Sequence, residues 1–288
     1  LYERHEQRAI QSQYLFYMHL PVRLDPMRLH AFKSILQTPH PHRINRDLHP
    51  LAFYHAMLLW SKQMQQVVSR RLTVLLAHRE AFLSSLAVAT LLAGLLARTW
   101  GNRRIRTVLI VMGFGLCEMG FSVLLILAFS AQLGYVYSRI GLLSTAFMFG
   151  TGLGAWIQTR SSSVSSKASS VLIRNCCLFA VMIVLTPLVI KFGETRLSTM
   201  LHEIVFYALS FAAGLLGGQV FPLALRSVSG AHGNDAEPQA GLFYGADLVG
   251  SALGAFGVSL LLLPLGGIWI VCLGMALVLG ICVWVQRV

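Results

Sequence analysis

The stretch AGLFYGADLVGSALGAFGVSLLLLPLGG, residues 240–267, combines one acidic residue with a series of small residues and a long apolar run. Asp247 lies near its start, Gly250 and Gly254 follow four residues apart, and the apolar run ends at Pro264. A carboxylate in an apolar helix is unfavourable in lipid, so it faces protein or water. Glycines four residues apart allow another helix to approach closely. The stretch therefore predicts a membrane helix with one polar position and one closely packed face.

The composition of the whole chain is typical of a helical membrane protein. Hydrophobic residues make up 56% and charged residues 12% of the 288 positions, whereas a soluble domain has roughly a quarter charged residues. The apolar runs do not alternate with polar residues, which argues against a strand barrel. The formal net charge is +12, and the basic residues of the apolar part lie mostly at the ends of the runs. This distribution favours a membrane topology signal over nucleic-acid binding.

The apolar runs predict an all-α membrane bundle of about seven transmembrane helices within residues 81–288. Each run is close to the roughly 20 residues that a bilayer requires. The predicted spans are about 81–98, 107–130, 133–157, 171–190, 201–225, 241–262 and 266–285. The short loops on one side of these spans carry more Lys and Arg than those on the other. The positive-inside rule therefore places the C-terminus in the cytoplasm and residues 1–80 on the non-cytoplasmic side.

Residues 1–80 predict a peripheral helical segment outside the membrane, which is polar, rich in His and Arg, and divided by prolines. The prolines limit any helix there to about four turns. With so little apolar surface the segment cannot easily form a core alone, so we expect it to dock on partner subunits. Its histidines lack helical ligand spacing, which leaves a metal site among residues 40–55 as the lesser alternative. No CxxC pair is present, and the sequence predicts no cofactor.

Four segments together resemble the polytopic bacterial membrane proteins described as spermidine/spermine-synthase-like. INRDLHPLAFYHAMLLW (Ile44–Trp60) is similar to the family's Asn-x-Asp-x-x-Pro segment. Residues 113–156 resemble its glutamate-bearing helix and the Gly-Tyr-Val-Tyr helix that follows it. GLLGGQVFPLA (Gly214–Ala224) and the opening stretch 240–267 complete the set. The motif positions singled out by the first and third segments are Asn45, Asp47, Pro50, Phe221 and Pro222.

The resemblance implies an aminopropyltransferase-type Rossmann domain joined to membrane helices, but this chain lacks that domain's glycine-rich turn and paired aspartates. It therefore implies the C-terminal membrane part of such a protein, in a bacterial inner membrane. The leading expectation is a non-catalytic anchor or scaffold that positions partner proteins through residues 1–80 and through small-residue helix faces. One alternative is the membrane half of a fused aminopropyltransferase whose catalytic domain lies outside this chain. The other is a transporter of polyamines or other cations that uses Glu118 and Asp247.

Five residues are candidate polar sites within the membrane. Glu118, near the middle of the second span, predicts a proton relay, a cation site or a partner for a basic group; the alternative is a hydrogen-bonded packing residue. Arg139 is a possible partner, but its depth differs by roughly 10 Å, so a direct pair needs a bend or a water molecule. Asp247 and Tyr244 could line a polar cavity, although Asp247 could instead cap the start of a helix. Tyr137 is the fifth candidate. Phe221 and Pro222 predict a kink in the fifth span.

Overall fold

The computed structural model describes residues 25–27, 30, 33, 78–100, 102–134, 137–160, 165–196, 198–228 and 236–286. The chain divides into two compact units, Leu1–Ile44 and Asn45–Val288, and every helix discussed below belongs to the second. Almost all of the described residues are helical and none of them forms a strand. The predicted all-α class is therefore confirmed for this part of the chain.

Seven helices and one short π-helix follow one another from residue 79 to residue 286. Their bounds are α1 Arg79–Trp100, α2 Arg103–Leu133, α3 Tyr137–Arg160, α4 Ser165–Arg196, α5 Thr199–Val228, α6 Ala236–Gly257, the π-helix Val258–Leu262 and α7 Leu263–Gln286. The helices cover the predicted apolar runs and extend beyond most of them. The third begins later than predicted, because α2 continues to Leu133 and the chain turns at Gly134, which has a φ of 84°.

Helices α3 and α5 pack side by side in the same direction. Ser210 Oγ donates a hydrogen bond of 2.9 Å to the Leu143 carbonyl, and Arg226 Nη2 donates one of 3.1 Å to the Thr159 carbonyl. Both bonds join residues 67 positions apart, and a constant separation means that the two helices run parallel. Small residues let the backbones approach: a Cβ at Gly214 would overlap the Phe147 carbonyl.

Helices α2 and α6 form a second parallel pair, built on the glycines of the stretch 240–267. A Cβ at Gly250 would overlap the Met112 carbonyl, and one at Gly254 would overlap the Leu116 carbonyl. The two contacting residues are the same number of positions apart in the sequence in both contacts, so successive turns of α6 lie against successive turns of α2. The prediction that Gly250 and Gly254 admit a neighbouring helix is thus confirmed. Without side chains between them, the two backbones gain close van der Waals contact.

The chain reverses direction at Gly267, near the start of α7. Gly267 has φ 70° and ψ 179°, which is a left-handed backbone that glycine adopts without steric cost. After this break α7 runs back along α2: Met275 lies against Gly120, and Cys282 lies against Gly113. Helix α7 is therefore antiparallel to α2, whereas α6 is parallel to it. The break that the sequence predicts at Pro264–Gly267 is confirmed.

Six helical stretches of the described residues are long and apolar enough to cross a membrane, judged by length and composition alone. The sixth, Gln239–Gln286, contains both α6 and α7, so this criterion does not confirm a count of seven spans. The interior of the bundle is aromatic and aliphatic. Phe179 of α4 stacks on Phe114 at 5.0 Å and meets the edge of Phe121 at 5.7 Å, and such pairs stabilise beyond their buried area.

Candidate functional site

Glu118 lies in the middle of α2 and contacts the backbone of α5. Fifteen residues of α2 precede it and fifteen follow, so it is about 22 Å from either end of the helix. Its carboxyl group lies against Gly217, where a Cβ would overlap the carboxyl carbon and both oxygens. The side chain is partly buried. The absence of a side chain at position 217 therefore provides the space that this carboxyl group occupies.

Asp247 lies on the same side of α2, one turn towards its N-terminus. Gly115 precedes Glu118 by three residues, and a Cβ at Gly115 would overlap Asp247 Oδ1 and reach Ser251 Oγ at 3.0 Å. Residues three apart share a helix face. Ser251 Oγ also donates a long hydrogen bond of 3.4 Å to the Gly115 carbonyl. The structure thus brings together two acids that are 129 positions apart in the sequence.

The two carboxyl groups have no basic partner among the described residues. Asp247 Oδ1 lies against Gly115, one helical turn from Glu118, so negative charges on both carboxyl groups would repel each other. Among the described residues the ion pair is Arg139–Glu203, and neither Glu118 nor Asp247 belongs to it. A partly buried carboxylate requires a compensating positive charge or a proton. The pair is therefore suited to binding a proton or a small cation. The described residues contain no group of three His, Cys, Asp or Glu side chains suited to a metal ion.

Arg139 pairs with an acid that the sequence analysis did not consider. Its guanidinium contacts Glu203 Oε1, which joins the first turn of α3 to the first two turns of α5. Glu203 is fourteen residues from Gly217 on α5, or about 21 Å along the helix axis. Arg139 is therefore about 21 Å from Glu118 in depth, about twice the roughly 10 Å expected from the sequence. Glu118 and Arg139 therefore do not pair with each other but belong to two separate sites.

The structure also places the other candidate residues of the sequence. Asp247 does not cap a helix start, because α6 begins eleven residues earlier at Ala236. Tyr244 is 58% exposed and Tyr137, the first residue of α3, is 89% exposed, so neither tyrosine is buried in the bundle. Phe221 and Pro222 lie inside α5, which continues from Thr199 to Val228. Asn45, Asp47 and Pro50 lie outside the described residues.

Polar contacts between helices include one that sequence reasoning missed. Asn175 of α4 is buried, and its Nδ2 donates a hydrogen bond of 3.1 Å to Gln219 Oε1 of α5. Gln219 Nε2 in turn donates to the Leu215 carbonyl at 3.1 Å. Amide side chains commonly join membrane helices in this way. The available signal was a polar residue inside each of two apolar runs, but nothing in the sequence indicated that these two residues pair with each other.

Comparison with protein-family models, with curated proteins and with solved structures gave no match for this chain. The resemblance to spermidine/spermine-synthase-like membrane proteins therefore stays a prediction drawn from its four sequence segments.

Proposed function

We propose that this protein transports a cation or a proton across a membrane and that Glu118 and Asp247 form the binding site. The observation that carries the proposal is their convergence on one face of α2 with no basic side chain of the described residues in contact. Intramembrane acids at helix contacts mark ion and proton pathways. Gly115 and Gly217 supply the space around them. Polyamines belong to the same substrate class, because they bind carboxylates through ammonium groups.

The directions of the helices support seven membrane crossings. Helix α2 is parallel to α6, α3 is parallel to α5, and α7 is antiparallel to α2, as alternating crossings require. Helices α1 and α7 also run parallel, with Gly94 against Ile281 and Arg98 over Trp284. We therefore count Gln239–Gln286 as two crossings joined at the Gly267 reversal.

The distribution of arginines supports an orientation in that topology. Arg103 and Arg104 begin α2, Arg160 ends α3, and Arg226 is near the end of α5. With alternating crossings these ends lie on one side of the membrane, which the positive-inside rule places in the cytoplasm of a bacterial inner membrane. A fluorescent-protein fusion after Val288 tests this orientation, because the reporter would fluoresce only if the C-terminus is cytoplasmic.

Transport assays on reconstituted protein test the site. In proteoliposomes with an interior pH dye for protons and radiolabelled cations outside, we expect spermidine, K⁺ or Na⁺ to enter or to drive a flux of protons. Glu118→Gln and Asp247→Asn remove charge with little change of shape, and each is expected to lower the initial rate at least tenfold. Glu203→Gln is the matched control, since it removes an acid of the same bundle that already pairs with Arg139. It is expected to retain most of the rate.

The proposal is wrong if both Glu118→Gln and Asp247→Asn transport as fast as the unmodified protein. It is also wrong if no flux is found with a correctly folded protein for any of the three cations or for protons. Gly217→Ala gives a further check, because its methyl group displaces the Glu118 carboxyl group without removing the charge. We expect a reduced rate with a smaller loss than Glu118→Gln.

The scaffold and fused-aminopropyltransferase functions stay predictions from the sequence. Their docking segment, residues 1–80, lies almost wholly outside the described residues, and no feature of the described helices favours either of them over transport.

A further inference from the structure

A second polar feature lies between the N-terminal ends of α2 and α6, apart from the carboxylate pair. These ends border a partly open pocket of about 470 Å³, which is lined by one arginine, one asparagine and four apolar residues. The lining residues are Asn102, Arg104, Ile105, Val108, Leu109 and Leu242. From Asn102 to Leu109 the lining extends seven residues along α2, or about 10 Å. The pocket is therefore polar at the helix end and apolar towards the membrane interior.

The polar end of this pocket is positively charged. Helix α2 begins with Arg103, Arg104 and Arg106 and has no acidic residue in its first turn. Of these three arginines, Arg104 lines the pocket. The Asn102 side chain makes no capping hydrogen bond, so first-turn N–H groups stay open and the helix dipole adds to the positive potential. This end of the pocket favours an anion.

We propose that the pocket binds one anionic phospholipid. Its phosphate lies at Arg104 and Asn102, and one acyl chain lies along the apolar part of the lining, formed by Val108, Leu109 and Leu242. Basic pockets between membrane helices on the cytoplasmic side suit anionic headgroups. A zwitterionic lipid has the same acyl chain but presents a cationic group to Arg104, and free phosphate has no acyl chain to contact the apolar lining. Charge and shape together therefore select the anionic lipid.

A larger groove elsewhere in the bundle provides a comparison. It has a volume of about 520 Å³, lies between α1, α6 and α7, and is lined by apolar residues except for Thr90. No charged residue belongs to its lining, so it has no means of distinguishing headgroups. Leu273 lines this groove and is exposed, which makes Leu273→Trp a control for filling a lipid-facing groove without an arginine.

Native mass spectrometry of the full chain in detergent tests the proposal. Phosphatidylglycerol and phosphatidylcholine with identical acyl chains are titrated separately, and the affinity of the first bound lipid is measured. We expect tighter binding of phosphatidylglycerol, and we expect Arg104→Gln to weaken that binding about fivefold. Arg160→Gln removes a charge at the same membrane side and is expected to change little. Leu242→Trp fills the pocket and is expected to abolish the preference, whereas Leu273→Trp retains it.

Several results would overturn the lipid site. Equal affinity of the unmodified protein for the two lipids removes the charge argument, and equal loss in Arg160→Gln shows that only the overall charge matters. Unchanged binding in a monodisperse, helical Leu242→Trp protein shows that the pocket is not occupied. Glycerol phosphate that binds as tightly as phosphatidylglycerol identifies a site for soluble anions. The transport assay is separate, so failure of one proposal leaves the other standing.

Discussion

Gly254→Ala is expected to force α6 away from α2, and Gly257→Ala, on the same helix, is its matched control. A Cβ at Gly254 would overlap the Leu116 carbonyl oxygen and lie 2.8 Å from its carbon and 2.9 Å from the Leu116 Cα. Favourable carbon contacts need about 3.5–4.0 Å. These are backbone atoms, which cannot rotate aside. At Gly257 the same methyl group meets no atom within 4 Å.

The size of the effect follows from the contact. Relief of the overlap requires a shift of α6 by about 1 Å. A gap of that size removes roughly a quarter to a half of the van der Waals attraction between the backbones of α2 and α6. Overpacking of this kind lowers stability by about 1–3 kcal/mol. Both substitutions gain the same helix propensity of about 1 kcal/mol, which cancels in the comparison. We therefore expect Gly254→Ala to be about 1–3 kcal/mol less stable than Gly257→Ala.

Unfolding in mixed micelles measures this difference. Dodecyl sulfate is titrated into each variant, and helix content and tryptophan fluorescence give the free energy of unfolding. The reasoning is refuted if Gly254→Ala is as stable as Gly257→Ala, or more stable, because α6 and α2 would then not be in backbone contact at Gly254.

Three further predictions concern other contacts between the helices. Replacing both Arg139 and Glu203 by Gln is expected to change the free energy of unfolding by less than about 1 kcal/mol, because the Arg139 side chain is 44% exposed and solvent screens the pair; a larger loss in micelle unfolding would contradict this. Ser210→Ala should lower stability by about 0.5–1.5 kcal/mol through loss of its bond to α3, whereas Ser144→Ala, whose hydroxyl bonds within its own helix, should leave it nearly unchanged in the same assay. Phe179→Ala should lower it by about 3–5 kcal/mol, since the ring is fully buried against two rings of α2; a loss below 1 kcal/mol would show that this core is not packed as described.

Much of the helical architecture could be predicted because membrane insertion depends on local composition. A run of about 20 apolar residues must be helical to satisfy its backbone groups in lipid. Arginines such as Arg103 and Arg160 mark the ends of such runs, and the break near Gly267 could be recognised from Pro264 and the paired glycines. The glycine spacing at Gly250 and Gly254 also indicated a closely packed face before its partner was known.

The candidate site could be predicted only in part. Glu118 and Asp247 were identified because an acid in an apolar run is costly, but their proximity could not be read from residues 129 positions apart. Asp247 was interpreted as a possible helix cap because the start of α6 at Ala236 precedes the apolar run. Glu203 was missed as the partner of Arg139, since helical periodicity describes one helix at a time.

The sequence by itself determined that the chain forms apolar helices, where most of them end, and which positions within them are costly to leave unpaired. These properties depend on neighbouring residues and on the solvent, so they are encoded locally. The tertiary structure decided that α5 and α6 both lie against α2, and hence that Glu118 meets Gly217 and that Asp247 meets Gly115, one turn from Glu118. Those choices depend on which backbones can approach most closely, and that is settled only when all the helices pack together.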